Sequence, residues 1–127
     1  MSTLKADTIQ STSGGAATLT KQQAAKSWVN FSSVGDSLAA RDSFNVSGLV
    51  DEETGITTVS FTNNMQSDAN YATMMGGHDI AGSKDLNSQH IFVNRFTSSN
   101  YVVQTNNSNS VAANWELNNA ANFGDLA

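Results

Sequence analysis

The sequence predicts an all-β fold, a mostly antiparallel β-sandwich with a jelly-roll-like arrangement, preceded by an extended N-terminal arm. Three observations predict it. Short runs alternate apolar and polar residues, as strands with one buried face do. Ser, Thr and Asn dominate the polar positions, and these residues favour turns and caps over helix interiors. A chain of 127 residues is long enough for one domain with a modest core.

Residues 1–26 are predicted to form the arm, and residues 27–127 the sandwich. Leu4–Ile9 has the pattern of a short extended segment, and Thr20 with Gln23 has capping-box spacing, which predicts one or two helical turns after Thr20. The segment is too polar to bury itself, so we expect it to pack on a neighbour or to cross to another chain. Its candidate assembly residues are the larger apolar ones, Leu4, Ile9 and Leu19.

A β-hairpin is predicted in the middle of the chain. Gly55–Thr62 is the clearest strand, because its alternation places Thr57, Val59 and Phe61 on one face. Ser43–Val50 is predicted as a single strand with a bulge at Gly48. Between them, the polar connection Asp51–Gly55 ends in glycine and suits a hairpin turn.

The remaining strands are predicted from shorter alternating runs. They are Trp28–Phe31, Tyr71–Met75, His90–Thr97, Tyr101–Thr105 and Val111–Leu117, the last followed by a polar segment rich in Ala and Asn. Ser98–Asn100 is the predicted turn between the third and fourth of them. The core candidates are the aromatic residues at strand spacing, Trp28, Phe31, Phe44, Phe61, Phe92 and Phe96. Tyr101 and Trp115 are instead candidates for surface contact with sugar or protein.

Composition argues against several classes of function. The chain has no cysteine, so neither disulfides nor thiolate metal sites are expected. Six basic and eleven acidic side chains give a net charge of −5 without a basic cluster, which argues against nucleic-acid binding. No apolar run is long enough for a signal peptide or a membrane span, so we expect neither export through an N-terminal signal nor membrane insertion.

The letters Gly35-Asp36-Ser37-Leu38 match the signature of a family of serine esterases. Such an enzyme needs a nucleophile turn, oxyanion donors and a histidine oriented by an aspartate. The nearest candidate for the base motif is Asn87–His90, with Asn where the carboxylate should be, and the chain is too short for the doubly wound sheet of that family. We therefore predict a polar loop at this position and no enzyme activity.

Two further groups of residues, the histidines and an acidic run, are predicted to have no binding or catalytic role. His78 and His90 are predicted to be surface or hydrogen-bonded histidines, although in a trimer a histidine near the axis would meet its two symmetry copies and could bind a metal ion. The acidic run Asp51–Glu53 lacks the alternating ligand spacing of a calcium loop and is predicted to be a solvated turn. No metal site and no cofactor are therefore predicted.

Several stretches, in order along most of the chain, resemble a family of small phage virion proteins and tail-fibre domains, common among marine and cyanobacterial phages. The strongest match runs from Ala25-Lys26-Ser27-Trp28-Val29-Asn30-Phe31 to Arg41-Asp42-Ser43-Phe44-Asn45-Val46. The others are Ser2–Gln10, Leu19–Gln22, Val59–Thr62 with Met65, Asp68–Ala72 and Phe123–Ala127. The stretch between Met74 and Asn122 departs most from the family's pattern.

The resemblance implies a structural virion component, assembled in the host cytoplasm, that forms a homotrimer and contacts other virion proteins through its arm. A tail-fibre or tail-associated protein whose sandwich contacts a host surface glycan or protein is the first expectation. A head decoration protein that reinforces the capsid is the alternative. A free-standing carbohydrate-binding module is a third reading, from a different class of function.

Overall fold

The chain folds into two four-stranded antiparallel sheets packed as a sandwich, which confirms the predicted fold class. The computed structural model describes Thr12 and residues 24–34, 38–68, 70–78, 90–107 and 109–127. Sheet I has the strand order β2-β1-β8-β5, and sheet II has the order β3-β4-β7-β6. The chain crosses between sheets after β2, β4, β5 and β7, so β1 and β8 lie side by side at the centre of sheet I.

The strands are β1 (Ser27–Ser32), β2 (Ala39–Phe44), β3 (Val46–Glu53), β4 (Ile56–Phe61), β5 (Tyr71–His78), β6 (His90–Phe96), β7 (Asn100–Asn106) and β8 (Leu117–Gly124). Seven of them, β1 to β7, overlap the predicted strands by two residues or more, and β8 shares only Leu117 with one. The hairpin between β3 and β4 is also confirmed, and it turns at Thr54 and Gly55. Gly55 has a φ of +71°, and a Cβ there would meet the backbone of Thr105 and Ala113, so a side chain would be strained at this position.

Asn45 divides the segment that was predicted as one strand. It has a φ of 56°, in the left-handed region that Asn tolerates better than most residues, and the chain passes there from sheet I to sheet II. The Asn45 side chain holds this corner: Nδ2 donates to the carbonyl oxygens of Lys26 and Asn63, each at 3.0 Å, and Oδ1 accepts from the Asn63 amide at 2.7 Å. The prediction of a continuous strand over Ser43–Val50 is therefore wrong, whereas the bulge near Gly48 is present.

The core lies between the two sheets and draws mainly on β1, β4 and β7. Its fully buried apolar members are Val29, Phe31, Val59, Phe61, Met65, Tyr101, Val103 and Ala120. Of the six aromatic residues predicted for the core, Phe31 and Phe61 are buried, whereas Trp28, Phe44, Phe92 and Phe96 are exposed. Trp28 and Phe31 are three positions apart in one strand, and such residues point to opposite faces of the sheet.

The end of the chain differs most from expectation. The strand predicted over Val111–Leu117 is not formed: apart from an isolated bridge between Ala112 and Asn106, residues 111–116 are part of the connection from β7 to β8, and Leu117 is the first residue of β8. The polar segment that follows forms β8, the central strand between β1 and β5. Asn118, Ala120 and Asn122 point inward from β8 and are buried. The sequence analysis missed this strand because its buried face carries few apolar residues.

Candidate binding surfaces

The residues predicted for assembly, Leu4, Ile9 and Leu19, lie outside the described residues. The same holds for Gly35, Asp36 and Ser37 of the esterase-like match, so the prediction of a polar loop there stays a prediction. The two residues predicted for surface contact are described, and the structure places both in the interior.

Tyr101 is fully buried, and its prediction as a surface-contact residue is wrong. It points inward from β7 and packs on Phe61, with ring centroids 5.5 Å apart. Burial raises the pKa of its hydroxyl, partly offset by the neighbouring Asn122 amide. That amide lies beside the hydroxyl without meeting hydrogen-bond geometry, so neither the hydroxyl nor the Asn122 Nδ2 has a partner in the described part of the chain.

Trp115 is 1% exposed, so its prediction as a surface residue is also wrong. Ser33, just after β1, fixes the loop that carries it: the Ser33 amide donates to the Trp115 carbonyl oxygen at 2.9 Å, and the Trp115 amide donates to Ser33 Oγ at 2.9 Å. The Asn118 amide nitrogen adds a bond to the same carbonyl at 3.0 Å. These contacts draw the indole into the sandwich, although the surrounding sequence is polar.

The titratable side chains do not gather into a metal-binding cluster within the described residues. His78 ends β5 and His90 begins β6, and both are exposed. The acidic run Asp51–Glu53 is exposed at the hairpin end of β3, where Glu52 Oε1 accepts a hydrogen bond of 2.9 Å from Thr58 Oγ1.

The outer face of sheet I carries a row of apolar side chains across all four strands. Phe44 on β2 is aligned with Trp28 on β1, Trp28 with Ala121 on β8, and Ala121 with Met74 on β5. Phe44, Trp28 and Met74 are exposed. Aligned side chains on neighbouring strands lie close enough to touch, so these residues form one continuous apolar stripe.

A polar row lies next to the apolar one on the same face. It contains Asp42, Asn30, Asn119 and Gly76, again aligned from β2 to β5. Asn30 Nδ2 donates to Asn119 Oδ1 at 2.6 Å. The two rows line a groove of about 410 Å³, which we call the Trp28 groove; its lining includes Trp28, Asn30, Met74, Gly76, Asn119 and Ala121.

The outer face of sheet II has a different chemical character. Val50 on β3 and Phe92 on β6 are exposed there, at the two edges of the sheet. A second groove, of about 380 Å³, lies on this face; it is lined by Glu52, Glu53, Ile56, Asn94, Arg95 and Val102. The acidic residues belong to edge strand β3 and Arg95 to the opposite edge strand β6, so the face carries opposite charges on its two sides.

The Trp28 groove was not predicted, although alternation in the sequence of β1 indicated part of it. Strict alternation in Ser27–Ser32 predicts that Trp28 and Asn30 share the face opposite to Val29 and Phe31. Assigning every aromatic residue to the core concealed that signal. The alignment of Trp28 with Met74 could not be predicted, because it depends on β8 lying between β1 and β5.

A comparison of the chain with protein-family models, curated proteins and solved structures found no match in any of the three sets. The phage resemblance therefore remains a prediction. Within the described ranges, no helix is long and apolar enough to cross a membrane.

Proposed function

We propose that this chain is a non-enzymatic structural protein of a phage virion, a tail-fibre or tail-associated component that assembles as a homotrimer. It is assembled in the host cytoplasm and presents its sandwich to the host surface. The N-terminal arm attaches it to other virion proteins or crosses between protomers. Resemblance to phage virion proteins over much of the chain, strongest from Ala25 to Val46, supports this reading.

The observation that carries the proposal is the exposed apolar surface on both outer faces of the sandwich. Trp28, Phe44 and Met74 lie on sheet I, and Val50 and Phe92 lie on sheet II. Contiguous exposed apolar surface marks interaction sites. The stripe on sheet I is contiguous, and Val50 and Phe92 add exposed apolar residues at the two edges of sheet II. Exposed apolar residues on both faces fit a protein that contacts copies of itself on one side and another molecule on the other.

We assign the contact between protomers to the outer face of sheet II. Its acidic edge, with Glu52 and Glu53, and its basic edge, with Arg95, lie on opposite strands of the sheet. In a ring of three, the acidic edge of one protomer meets the basic edge of the next, which is the head-to-tail contact that closes a cyclic oligomer. Val50 and Phe92 supply the apolar part of the contact.

Mass measurement by size-exclusion chromatography with light scattering tests this assembly. We expect the full chain to have the mass of three chains, and Phe92→Asp to have the mass of one, because a charge is placed in the apolar contact. Met74→Asp, an exposed apolar position on sheet I, is the matched control and should remain trimeric. A wild-type chain that is monomeric throughout the concentration range would refute the trimer.

Two further measurements test what the arm does and where in the particle the protein lies. Deleting residues 1–23 spares the hydrogen bond from the Lys26 amide to the Asn122 carbonyl oxygen. If the arm crosses between protomers, this deletion gives monomers; a stable trimer instead assigns the arm to docking on the particle. Density for the protein on the tail in a particle reconstruction is the expected result, and many copies on the head would make it a decoration protein.

A further inference from the structure

We propose that the Trp28 groove binds a neutral glycan. This inference rests on the proposed function, in which the sandwich faces the host, and it names the ligand class and the residues of that contact. Four features of the groove support it: an aromatic side chain on one side, a pair of amides, open space above a glycine, and the charge around the groove.

The aromatic wall is Trp28. Its side chain is 36% exposed, and it stands in the apolar stripe between Phe44 and Ala121. An indole ring offers a wide, rigid apolar surface at low cost in conformational entropy. The C–H face of a pyranose ring is flat and weakly apolar, so it can pack on such a surface while its hydroxyl groups point sideways.

The amide pair supplies hydrogen bonds for those hydroxyl groups. Because Asn30 Nδ2 donates to Asn119 Oδ1, the two side chains are fixed against each other. The remaining polar atoms, Asn30 Oδ1 and Asn119 Nδ2, have no hydrogen bond to any described residue. One accepts and the other donates, side by side. A pair of adjacent sugar hydroxyls offers the matching donor and acceptor.

Gly76 leaves the space in which a sugar would lie. It occupies the same polar row as Asn119 on the neighbouring strand, and a Cβ built on it meets no atom of the described residues within 4 Å. Because Gly76 has no side chain, the groove is deep beside Asn119, next to the exposed side chain of Met74. Its volume of about 410 Å³ falls within the range of roughly 300–1,000 Å³ that is usual for ligand pockets.

Charge decides which glycans fit. Among the described residues that line the Trp28 groove there is no Lys or Arg, and the polar row ends at the carboxylate of Asp42. The chain as a whole has a net charge of −5. An acidic sugar would therefore be repelled and would find no cation to pair with, whereas a neutral hexose chain meets neither penalty.

Nuclear magnetic resonance of the full chain, labelled with ¹⁵N, tests the proposal. The probes are neutral hexose oligosaccharides with gluco, manno and galacto configurations, and an oligogalacturonate serves as the acidic counterpart. We expect at least one neutral probe to shift the Trp28 indole N–H and the Asn30 and Asn119 amide signals in a saturable manner. The oligogalacturonate should shift them at least tenfold more weakly.

Variants then separate binding from folding. Gly76→Leu fills the groove without removing a contact, and because open space surrounds this position the variant should fold; we expect at least a tenfold loss of affinity. Trp28→Ala and Asn119→Ala should lose at least tenfold and about fivefold. The matched control is Phe96→Leu, at an aromatic residue 42% exposed at the end of β6 in the other sheet and outside both grooves, which should retain wild-type affinity.

Three outcomes would overturn the inference. The first is that no neutral probe shifts these signals. The second is that Gly76→Leu binds as well as the wild type. The third is that the Trp28 indole signal shifts with protein concentration without sugar, which would make this face a contact between copies. Because the mass is measured on the same samples, a trimer without sugar binding refutes only this inference. A monomer that binds sugar refutes only the trimer.

Discussion

Strand β7 is an interior strand of sheet II and β8 is an interior strand of sheet I, yet the two contribute to the core with different chemistry. β7 points Tyr101, Val103 and Thr105 into the sandwich. β8 points Asn118, Ala120 and Asn122 into the same interior, and two of these three side chains are amides. Each strand pairs with a neighbour on both sides, so neither is an edge.

The difference lies in how each strand offsets the cost of burial. β7 removes apolar surface from water, which is favourable by itself. β8 buries amides, which is unfavourable unless they find hydrogen bonds. Asn118 Nδ2 has the Trp115 carbonyl oxygen at 3.0 Å, and Asn122 Oδ1 accepts from Thr73 Oγ1 at 2.6 Å. A polar strand can therefore occupy the centre of a sheet when the surrounding structure supplies its partners.

The largest loss of stability is expected from Asn118→Asp, because the amide nitrogen of Asn118 is the hydrogen-bond donor on the buried face of β8 with the most acceptors around it. The amide nitrogen of Asn118 faces the carbonyl oxygens of Trp115 and Phe31 and, at 3.4 Å, the Ser33 hydroxyl, so a carboxylate of the same shape would face two acceptors and one weakly placed donor. We expect the free energy of unfolding to fall by about 3 kcal/mol or more at neutral pH. Urea unfolding at neutral pH measures it.

Acidification should partly rescue this variant. Burial among acceptors raises the pKa of the new carboxyl, so the folded state holds the proton more tightly than the unfolded state does, and stability relative to wild type increases as the pH falls. The exposed substitution Asn109→Asp is the control and should change stability by less than about 0.5 kcal/mol. An Asn118→Asp variant as stable as wild type at neutral pH would contradict the role assigned to this amide.

A smaller effect is expected from Val103→Ala on the apolar strand. Val103 is buried in the core cluster, and removing two methyl groups loses their burial and leaves a small cavity. We expect a loss of about 2 kcal/mol in the free energy of unfolding, independent of pH because no titrating group is involved. Val111→Ala, at an exposed position, should cost almost nothing when measured in the same urea titration. A loss that varied with pH would contradict this account.

The smallest effect at neutral pH is expected from Tyr101→Phe. The Tyr101 hydroxyl has no hydrogen-bond partner among the described residues, so its removal should change stability by less than about 1 kcal/mol. Its consequence appears at alkaline pH. An unfolded tyrosine ionises near pH 10, whereas burial raises the pKa of Tyr101 in the folded state. The folded state then binds more protons above about pH 10, and stability falls as the pH rises.

Tyr71 contributes to the same alkaline loss and gives a graded comparison. Burial raises its pKa to about 12, and its hydroxyl donates a hydrogen bond of 3.0 Å to the Thr97 carbonyl oxygen. We expect the decline of wild-type stability between about pH 10 and 12 to be shallower in both Tyr101→Phe and Tyr71→Phe. Unfolding midpoints across this range measure the slopes; slopes equal to wild type would show that neither hydroxyl is shielded.

Much of the fold could be predicted because local alternation and burial agree in most strands. β4 is the clearest case: Thr57, Val59 and Phe61 alternate in the sequence and are all buried. Two features were not predicted, for distinct reasons. The corner at Asn45 is a single left-handed residue within an alternating run, and its hydrogen-bond partners are Lys26 and Asn63. β8 is polar on its buried face.

The candidate site was predicted less well than the fold. Tyr101 and Trp115 were assigned to the surface, yet Tyr101 lies in an alternating strand. Trp115 is drawn inward by Ser33, which is distant in sequence, and by Asn118, which is three residues away. Trp28 was assigned to the core, although Val29 and Phe31 of the same strand occupy the face that points into the core. Alternation shows which residues share a face, but not which face is covered by the other sheet.

By itself, the sequence determined the class of fold and the position of most strands, because alternation with period two follows from the geometry of one chain. Tertiary structure alone decided which strands are neighbours. It therefore decided that Asn118 Nδ2 and Asn122 Oδ1 of β8 find partners, and that Trp28, Asn30, Asn119 and Gly76 come to lie on one surface. Hydrogen bonds and contacts between residues far apart in the chain have no local pattern, so only the folded chain brings them together.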